Sequence, residues 1–550
     1  CMGVSQPQQG HRGSADAPCG VSDVPSSMPP TREGTHTPRS ARRRRPATTA
    51  GVPAFVLACA VVLAACTSEV AQPSADSAGR TADSGAATSS PEVEPSDSPR
   101  PTSEATPTAT PEPDPTVPLA LVTHLTLPAV ELSQPQMRAL LADGPATGVL
   151  PILGGASPTV VVAPSIDPPD GATQVASSAE VIEAVRNDRS TVGLLPADAL
   201  DPTVRAVAVD GVDPARSPED YPVTTLGSPP DSVVTISVGG DVMADRRVGD
   251  RLAQTGDYAG MLGPLADRLA SSDIAMVNLE STLAELGPPT QGIESFVADP
   301  RVREGLTRAG VDVVSLANNH SGDYGPESLL TTIDLLRDAG FAVFGAGANP
   351  ERADRPAVII RDGVTVAFVG FNAIGETPPA APGQPGASAL SMPPRTGPLD
   401  RDRLAQLEAQ VADLAERVDV VVVVPHWGQQ YTSLPVPEQS EVGQALLAAG
   451  ADIVVGGHPH WVQAVERDER GRLVVHSLGN LVFDMDFSVE TMEGVVAELV
   501  VWDDRVVAVD YVPYVIGTDW VPRGVAPDER GERIVTQMWD ASTQPFASLP

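Results

Sequence analysis

The sequence predicts an α/β fold in which strands and helices alternate into a layered sheet. Three observations carry this. Apolar, strand-like runs recur after helical patterns: "SVVTISVGGDVM", "SSDIAMVNLES", "AGVDVVSLANNHSGDYG", "AERVDVVVVVPHWGQQY" and "AGADIVVGGHPHW". Their Val and Ile stretches are nearly continuous, as expected of strands covered on both faces. Polar residues close each run, at the carboxyl strand ends where ligands gather in such folds.

In chain order, residues 1–41 are polar and irregular and are expected to be a disordered extension. "RRRRPATTAGVPAFVLACAVVLAAC", Arg42 to Cys66, has the layout of a secretory signal: charged start, apolar centre, small residues at the end. Leu63-Ala64-Ala65-Cys66 resembles a bacterial lipobox, which implies cleavage before Cys66 and lipid attachment to it. An uncleaved membrane anchor is the alternative. Either way the rest of the chain is expected at the extracytoplasmic face of the membrane. Residues 67–118 are Ser, Thr, Ala, Pro and acidic residues, too poor in apolar side chains to offset their ordering entropy, and read as a disordered tether.

Residues 119–225 regain pattern as a small α/β region. "PLALVTHLTL" and "TVVVAPS" read as strands, "SQPQMRALLADG" and "SAEVIEAVRNDRS" as helices. "STVGLLPADALDPTVRAVAVDG" resembles half of a periplasmic solute-binding domain. His124 has no ligand-type neighbour in sequence and reads as structural. Residues 233–515 carry the strand rhythm, and 516–550 read as a C-terminal tail. Between the strands, "RDRLAQLEAQVADLAERV" places Leu404, Leu407, Val411, Leu414 and Val418 on one helix face.

Composition narrows the chemistry. The chain has 550 residues and a formal charge of -35, which argues against nucleic acid as a partner. The cysteines are Cys1, Cys19, Cys59 and Cys66, so no thiolate metal site exists beyond position 66. A metal must be held by His, Asp, Glu or Asn. Five strand endings offer such donors: Asp241; Asn278 with Glu280; Asn318, Asn319 and His320; His426; and His458 with His460. Imidazole and carboxylate suit Zn, Mn or Fe. A carboxylate between two dications lowers their repulsion, so Asp241 and Glu280 are candidates for bridging. Two ions about 3.5–4 Å apart generate a hydroxide and hold substrate oxygens. In an extended loop His458 and His460 would point the same way, with Pro459 fixing the backbone between them.

"GGDVM", "VNLES", "LANNHSGDYG", "PHWGQQY", "GGHPHW" and "HSLGNLVFD", in this order, resemble the CapA-type poly-γ-glutamate capsule synthesis proteins, members of the calcineurin-like metallophosphoesterase superfamily. The resemblance spans about residues 233–515. It implies a four-layer α/β/β/α sandwich with a dinuclear metal site. It places Asp241 as the first carboxylate ligand, Glu280 as the bridge and Asn319 as the Asn ligand, with Asn318 as the alternative. His426 and His458 complete one metal and His460 the other. His320 does not ligate but stabilises or protonates the leaving group, and Asp323 either orients it or serves as a turn residue. The wider superfamily has Asp-x-His in its first motif, whereas this chain has Asp241-Val242-Met243, so one metal lacks a histidine.

Asn278, Asn318, Asn480 and Arg246 are the candidate substrate contacts, with Arg247 beside them. His476 reads as structural and Asp484 as a strand end. Trp427 and Trp461 either wall the site or pack behind it. Two functions compete. One is a surface-anchored, metal-dependent hydrolase acting on an anionic polymer or phosphoester. The other is a non-catalytic factor that holds poly-γ-glutamate or another envelope polymer, within capsule synthesis machinery.

Overall fold

The computed structural model describes residues 114–144, 158–526 and 529–547. The signal-like segment, Cys66 and nearly all of the expected tether lie outside the described residues. Among the described residues no helix is long and apolar enough to cross a membrane.

The first region builds one sheet from β1 (Thr116–His124), β2 (Thr159–Val162), β3 (Thr173–Gln174), β4 (Thr191–Pro196), β5 (Val204–Ala206) and β6 (Thr224–Leu226), in the order β3-β2-β4-β1-β5 with β6 also on β1. Its helices are α1 (Gln134–Asp143) and α2 (Ser178–Asn187). Ser133 caps α1 and exchanges hydrogen bonds with Gln136, the reciprocal pairing that fixes a helix start. This region does not stand apart. Its core includes Val500, Trp502 and Val507, and the Trp502 indole donates to Ala215 O at 2.7 Å.

The larger region carries two main sheets. The first contains β7 (Val233–Val242), β8 (Ile274–Leu279), β9 (Val311–Ser315) and β10 (Ala342–Phe344), all parallel. The second contains β11 (Ala357–Arg361), β12 (Val364–Val369), β13 (Val420–Val423), β14 (Ile453–Val455), β15 (Val465–Arg467) and β16 (Leu473–Val475), in the order β11-β12-β13-β14-β16-β15. The first sheet is completed by β17 (Asn480–Val482), β18 (Glu493–Trp502), β19 (Arg505–Ile516) and β20 (Pro522–Gly524). Its order is β10-β9-β8-β7-β18-β19-β20, with β17 also on β7.

The period-two geometry of strands explains the continuous apolar runs. On β8, Ile274 and Met276 join a core shared by both sheets, while Ala275, Val277 and Leu279 join one shared with α3 (Arg246–Thr255), α4 (Leu265–Leu269), α5 (Val302–Arg308) and α6 (Gly325–Asp338). On β13, Val420 and Val422 face the shared core, while Val421 and Val423 pack with α7 (Arg401–Ala415) and α8 (Pro437–Ala449). Both faces of these two central strands are thus buried, and the fold is an α/β sandwich. Leu404, Leu407, Val411 and Leu414 are the buried face of α7, as their spacing predicts.

The aspartates at or just before the strand starts have a structural job. Asp273 accepts from Thr235 N at 2.8 Å and Asp312 from Ala275 N at 3.0 Å. Asp419 accepts from Thr365 N at 2.7 Å and Asp452 from Val421 N at 2.8 Å. Each closes an amide near the start of the neighbouring parallel strand, which the ladder would leave open. The segment read as a tail is built into the fold. It forms β20 and α9 (Glu529–Ala541), and Ile534, Met538, Trp539 and Phe546 enter the core between the sheets.

Candidate metal centre

The parallel strands of both sheets deliver the predicted donors to one place. Asp241 lies on β7, Asn278 on β8 with Glu280 just beyond it, and Asn318 to His320 follow β9. His426 follows β13, and His458 and His460 follow β14. All are buried. Ligand atoms of Asp241, Glu280 and His460 lie within 4.8 Å of one another. His426 Nε2 stands 2.9 Å from Asn319 Oδ1 and 3.4 Å from Glu280 Oε1. The His426 and His458 rings are 5.0 Å apart, and those of His458 and His460 5.7 Å.

The backbone of the histidine loop differs from expectation. His458 and His460 both adopt left-handed conformations, with φ of 95° and 59°, so the segment is not extended. Non-glycine residues rarely hold such angles, and strain of this kind collects at functional sites. The loop packs closely on Asp241, whose Oδ2 accepts from His458 N at 3.0 Å. Gly457 must be glycine here, since a Cβ would lie 2.6 Å from Asp241 Oδ1.

Whether these residues suit a cation can be judged from their unmet bonding. Glu280 Oε2 and both ring nitrogens of His458 are buried without a hydrogen-bond partner. Buried polar atoms are normally satisfied, and a metal ion is one of the few groups that satisfies a lone carboxylate oxygen and a lone imidazole together. Burial, reinforced by the neighbouring charge of Asp241, pushes the Glu280 carboxyl well above its ordinary range. Burial also holds His426 and His458 well below theirs, and His460 down to about 4. Neutral imidazoles with free lone pairs, beside carboxylates that repel each other, are the donor set a dication needs. The buried Asp, Glu and His cluster can therefore bind a metal ion.

Around it, hydrogen bonds fix each donor. Asn278 Nδ2 donates to Asp241 Oδ1 at 2.8 Å and to Glu280 Oε1 at 3.2 Å, and approaches His426 Nδ1 at 3.3 Å. Asn318 Nδ2 donates to Asn278 Oδ1 and Leu279 O, and Asn318 Oδ1 accepts from His320 N. Asn480 Oδ1 meets His460 Nδ1. Met243 is fully buried in the core shared with α3 to α6 and accepts from Asp245 N through its sulfur.

The His320 side chain sits apart from these hydrogen bonds, although its backbone N–H joins them. Its ring stacks on Phe296 with centroids 4.2 Å apart, and Nδ1 lies 2.8 Å from Asp323 Oδ2. Asp323 Oδ2 also accepts from Phe296 N, and Oδ1 from Gln291. With Nδ1 engaged, Nε2 is the nitrogen left free for chemistry.

A cavity of about 230 Å³ opens over the histidines. His320, Asn319, His458 and His460 line it, together with Arg395, Glu376, Gln430 and Tyr431. Asn278, Asn318, Asn480 and Arg246, the candidate substrate contacts, are not among its lining residues. The three asparagines are committed to the hydrogen bonds above. Arg246 holds Asp484 and Glu294 and lies over the Phe296 ring. Asp484 likewise anchors Arg247 beyond the end of β17. Trp427 is buried against Phe371 and His476, so it packs behind the site.

Residues 235–485 match the profile of the bacterial capsule synthesis protein family PGA_cap. The capsule biosynthesis protein CapA of Bacillus anthracis is 31% identical over 286 residues, 51% of this chain and 67% of that protein. The chain belongs to this family. The PGA biosynthesis protein CapA of Bacillus subtilis (strain 168) is 27% identical over 267 residues, 47% of this chain and 65% of that protein. The chain thus spans about two thirds of the length of these CapA relatives. A crystal structure of a hypothetical protein from Thermus thermophilus aligns with 51% of this chain and 99% of its own, at 18% identity and a TM-score of 0.32.

All six metal-ligand candidates read from the CapA-type motifs meet at one site. Arg395 and Glu376 were missed, because neither follows a strand. Gln430 and Tyr431 stood in view in "PHWGQQY" without a role.

Proposed function

We propose that this CapA-type protein is a metal-dependent hydrolase of the metallophosphoesterase type, acting at the cell surface on an anionic envelope polymer or phosphoester. The observation that carries the reading is the buried constellation of Asp241, Glu280 and His460 beside the partnerless oxygen of Glu280 and nitrogens of His458. Two ions would be held: Glu280 between them, Asn319, His426 and His458 on one, Asp241 and His460 on the other. When bound, such ions supply a nucleophilic hydroxide and neutralise charge on the substrate. The two sheets with their flanking helices fit the four-layer α/β/β/α arrangement of that superfamily. His320, with Nδ1 held by Asp323, offers Nε2 to the leaving group and delivers a proton there. The names of the relatives support poly-γ-glutamate as the polymer. Lipid attachment at Cys66 would keep the domain at the membrane.

A second reading is favoured by Met243, which fills the place of a first-motif histidine and is sealed in the core. With one ligand fewer, the domain would bind polymer carboxylates without cleaving them, as an assembly factor.

Metal analysis of the purified protein is expected to give close to two transition-metal ions per chain, and His458→Ala to lower that content. Unchanged content in the variant would overturn the site. With added manganese, hydrolysis of an aryl phosphate that His320→Ala abolishes selects the enzyme. Silence across phosphoesters, with polyglutamate still bound, selects the assembly factor.

A further inference from the structure

Arg395 is the one arginine among the residues lining the cavity over the histidines. Its guanidinium forms an ion pair with Glu376, and the two side chains keep 39% and 26% of their surface exposed. Both therefore sit at the mouth, where they meet an entering molecule first.

The pair is held by two fixed turns. Thr396 Oγ1 accepts from Met392 N at 2.9 Å and also bonds Ala373 O at 3.1 Å, tying the turn that carries Arg395 to the one that carries Glu376. In that second turn Asn372 Nδ2 donates to Gly375 O at 2.8 Å. The next residue, Thr377, accepts from Gly322 N at 2.9 Å and so joins the turn to the loop that follows His320. Glu376 itself has a left-handed φ of 55°. A non-glycine residue keeps that conformation only where its surroundings impose it, and such residues cluster at ligand clamps. The glutamate thus meets the arginine from a left-handed backbone position.

A partly exposed ion pair contributes little net stability. It is a poor structural fastener and a good exchangeable one. Guanidinium presents a planar fork that matches an oxyanion with two hydrogen bonds. The surface of this acidic chain otherwise repels anions, so recognition must be local.

We propose that Arg395 is the oxyanion-recognising residue of the cavity and that Glu376 is the counter-ion which an incoming anion displaces. The substrate class is then one carrying an anionic group, such as a carboxylate, in addition to the group held at the metal centre. This assignment rests on the cavity being the substrate site of that centre.

The test is calorimetric binding of glutarate, and separately of inorganic phosphate, to the full chain loaded with manganese. Metal content is measured on the same samples. Arg395→Ala is expected to weaken glutarate about tenfold or more with metal content unchanged. Arg395→Lys, which keeps the charge and loses the fork, falls between. Glu376→Gln removes the competitor and tightens binding severalfold. Loss that is greater for glutarate than for phosphate identifies a carboxylate subsite, and the reverse a phosphate one. A loaded wild-type chain that binds neither probe overturns the proposal. So does an Arg395→Ala variant that binds both like wild type, or a Glu376→Gln variant as weak as Arg395→Ala. A chain that takes up no metal instead sinks the metal-centre reading beneath it.

Discussion

Asn480 Oδ1 lies 2.8 Å from His460 Nδ1, and the Asn480 amide cannot turn over, because Nδ2 donates to Thr491 O at 2.9 Å. An oxygen held there can only accept, so His460 carries its proton on Nδ1. Its Nε2 then carries the lone pair, and Gln430 Nε2 lies 3.4 Å from it. A carbonyl that fixes the tautomer of a ligating histidine is a recurrent partner of metal sites, and its loss typically costs 10–100-fold in metal affinity. Asn480→Ala is expected to weaken metal binding by about that factor in a chelator competition. Equal affinity in the variant would mean that Asn480 does not set the tautomer.

Asp323 stands in the same relation to His320. It is fully buried, and its two oxygens take His320 Nδ1, Phe296 N and Gln291. Asp323→Asn keeps the volume but puts a donor among donors, so the His320 ring loses its anchor while the metal ligands are untouched. Hydrolysis of an aryl phosphate is expected to fall about 100-fold or more, the scale of general acid catalysis, at unchanged metal content. A variant that keeps full activity would reduce Asp323 to a turn residue.

The site was legible in the sequence because the fold writes it at strand ends, where an apolar run stops and a donor stands alone. Asp241, Glu280, His426 and His460 were found this way. The task of the aspartates at the strand starts was not legible. Asp452 closes an amide of β13, thirty-one positions away in sequence, a partner that only the parallel register reveals. The backbone of His458 and His460 was misjudged for a related reason. An isolated His-Pro-His reads as extended, whereas in the fold both histidines are left-handed and His458 N is bonded to Asp241, a partner distant in sequence. Arg395 was invisible because its significance comes from Glu376 and the cavity, and no strand announces either. The C-terminal segment was undervalued because Ile534, Met538 and Trp539 matter only once the inter-sheet core is there to receive them.

His124, read as structural, gives the fold a dependence on acid. It is buried on β1, where Nδ1 accepts from Thr126 N at 3.2 Å and from Thr126 Oγ1 at 2.8 Å. Nε2 is then the protonated nitrogen and donates to Pro545 O at 3.2 Å, joining the first region to the C-terminal segment. Burial, with the charge of Arg189 adding to it, lowers its pKa from 6.5 to about 4. Between those values the unfolded chain takes up the proton more readily than the folded one, so stability rises with pH across this window. The contribution is complete above pH 6.5 and is lost as the pH falls towards 4. Its ceiling is about 3 kcal/mol, of which about 2 kcal/mol is gone at pH 5. Urea unfolding at neutral pH and at pH 5 measures this. Wild type is expected to lose about 2 kcal/mol more between the two than His124→Gln, which cannot charge. The same loss in both proteins would place the acid sensitivity elsewhere, since no other change in the variant removes a titrating group.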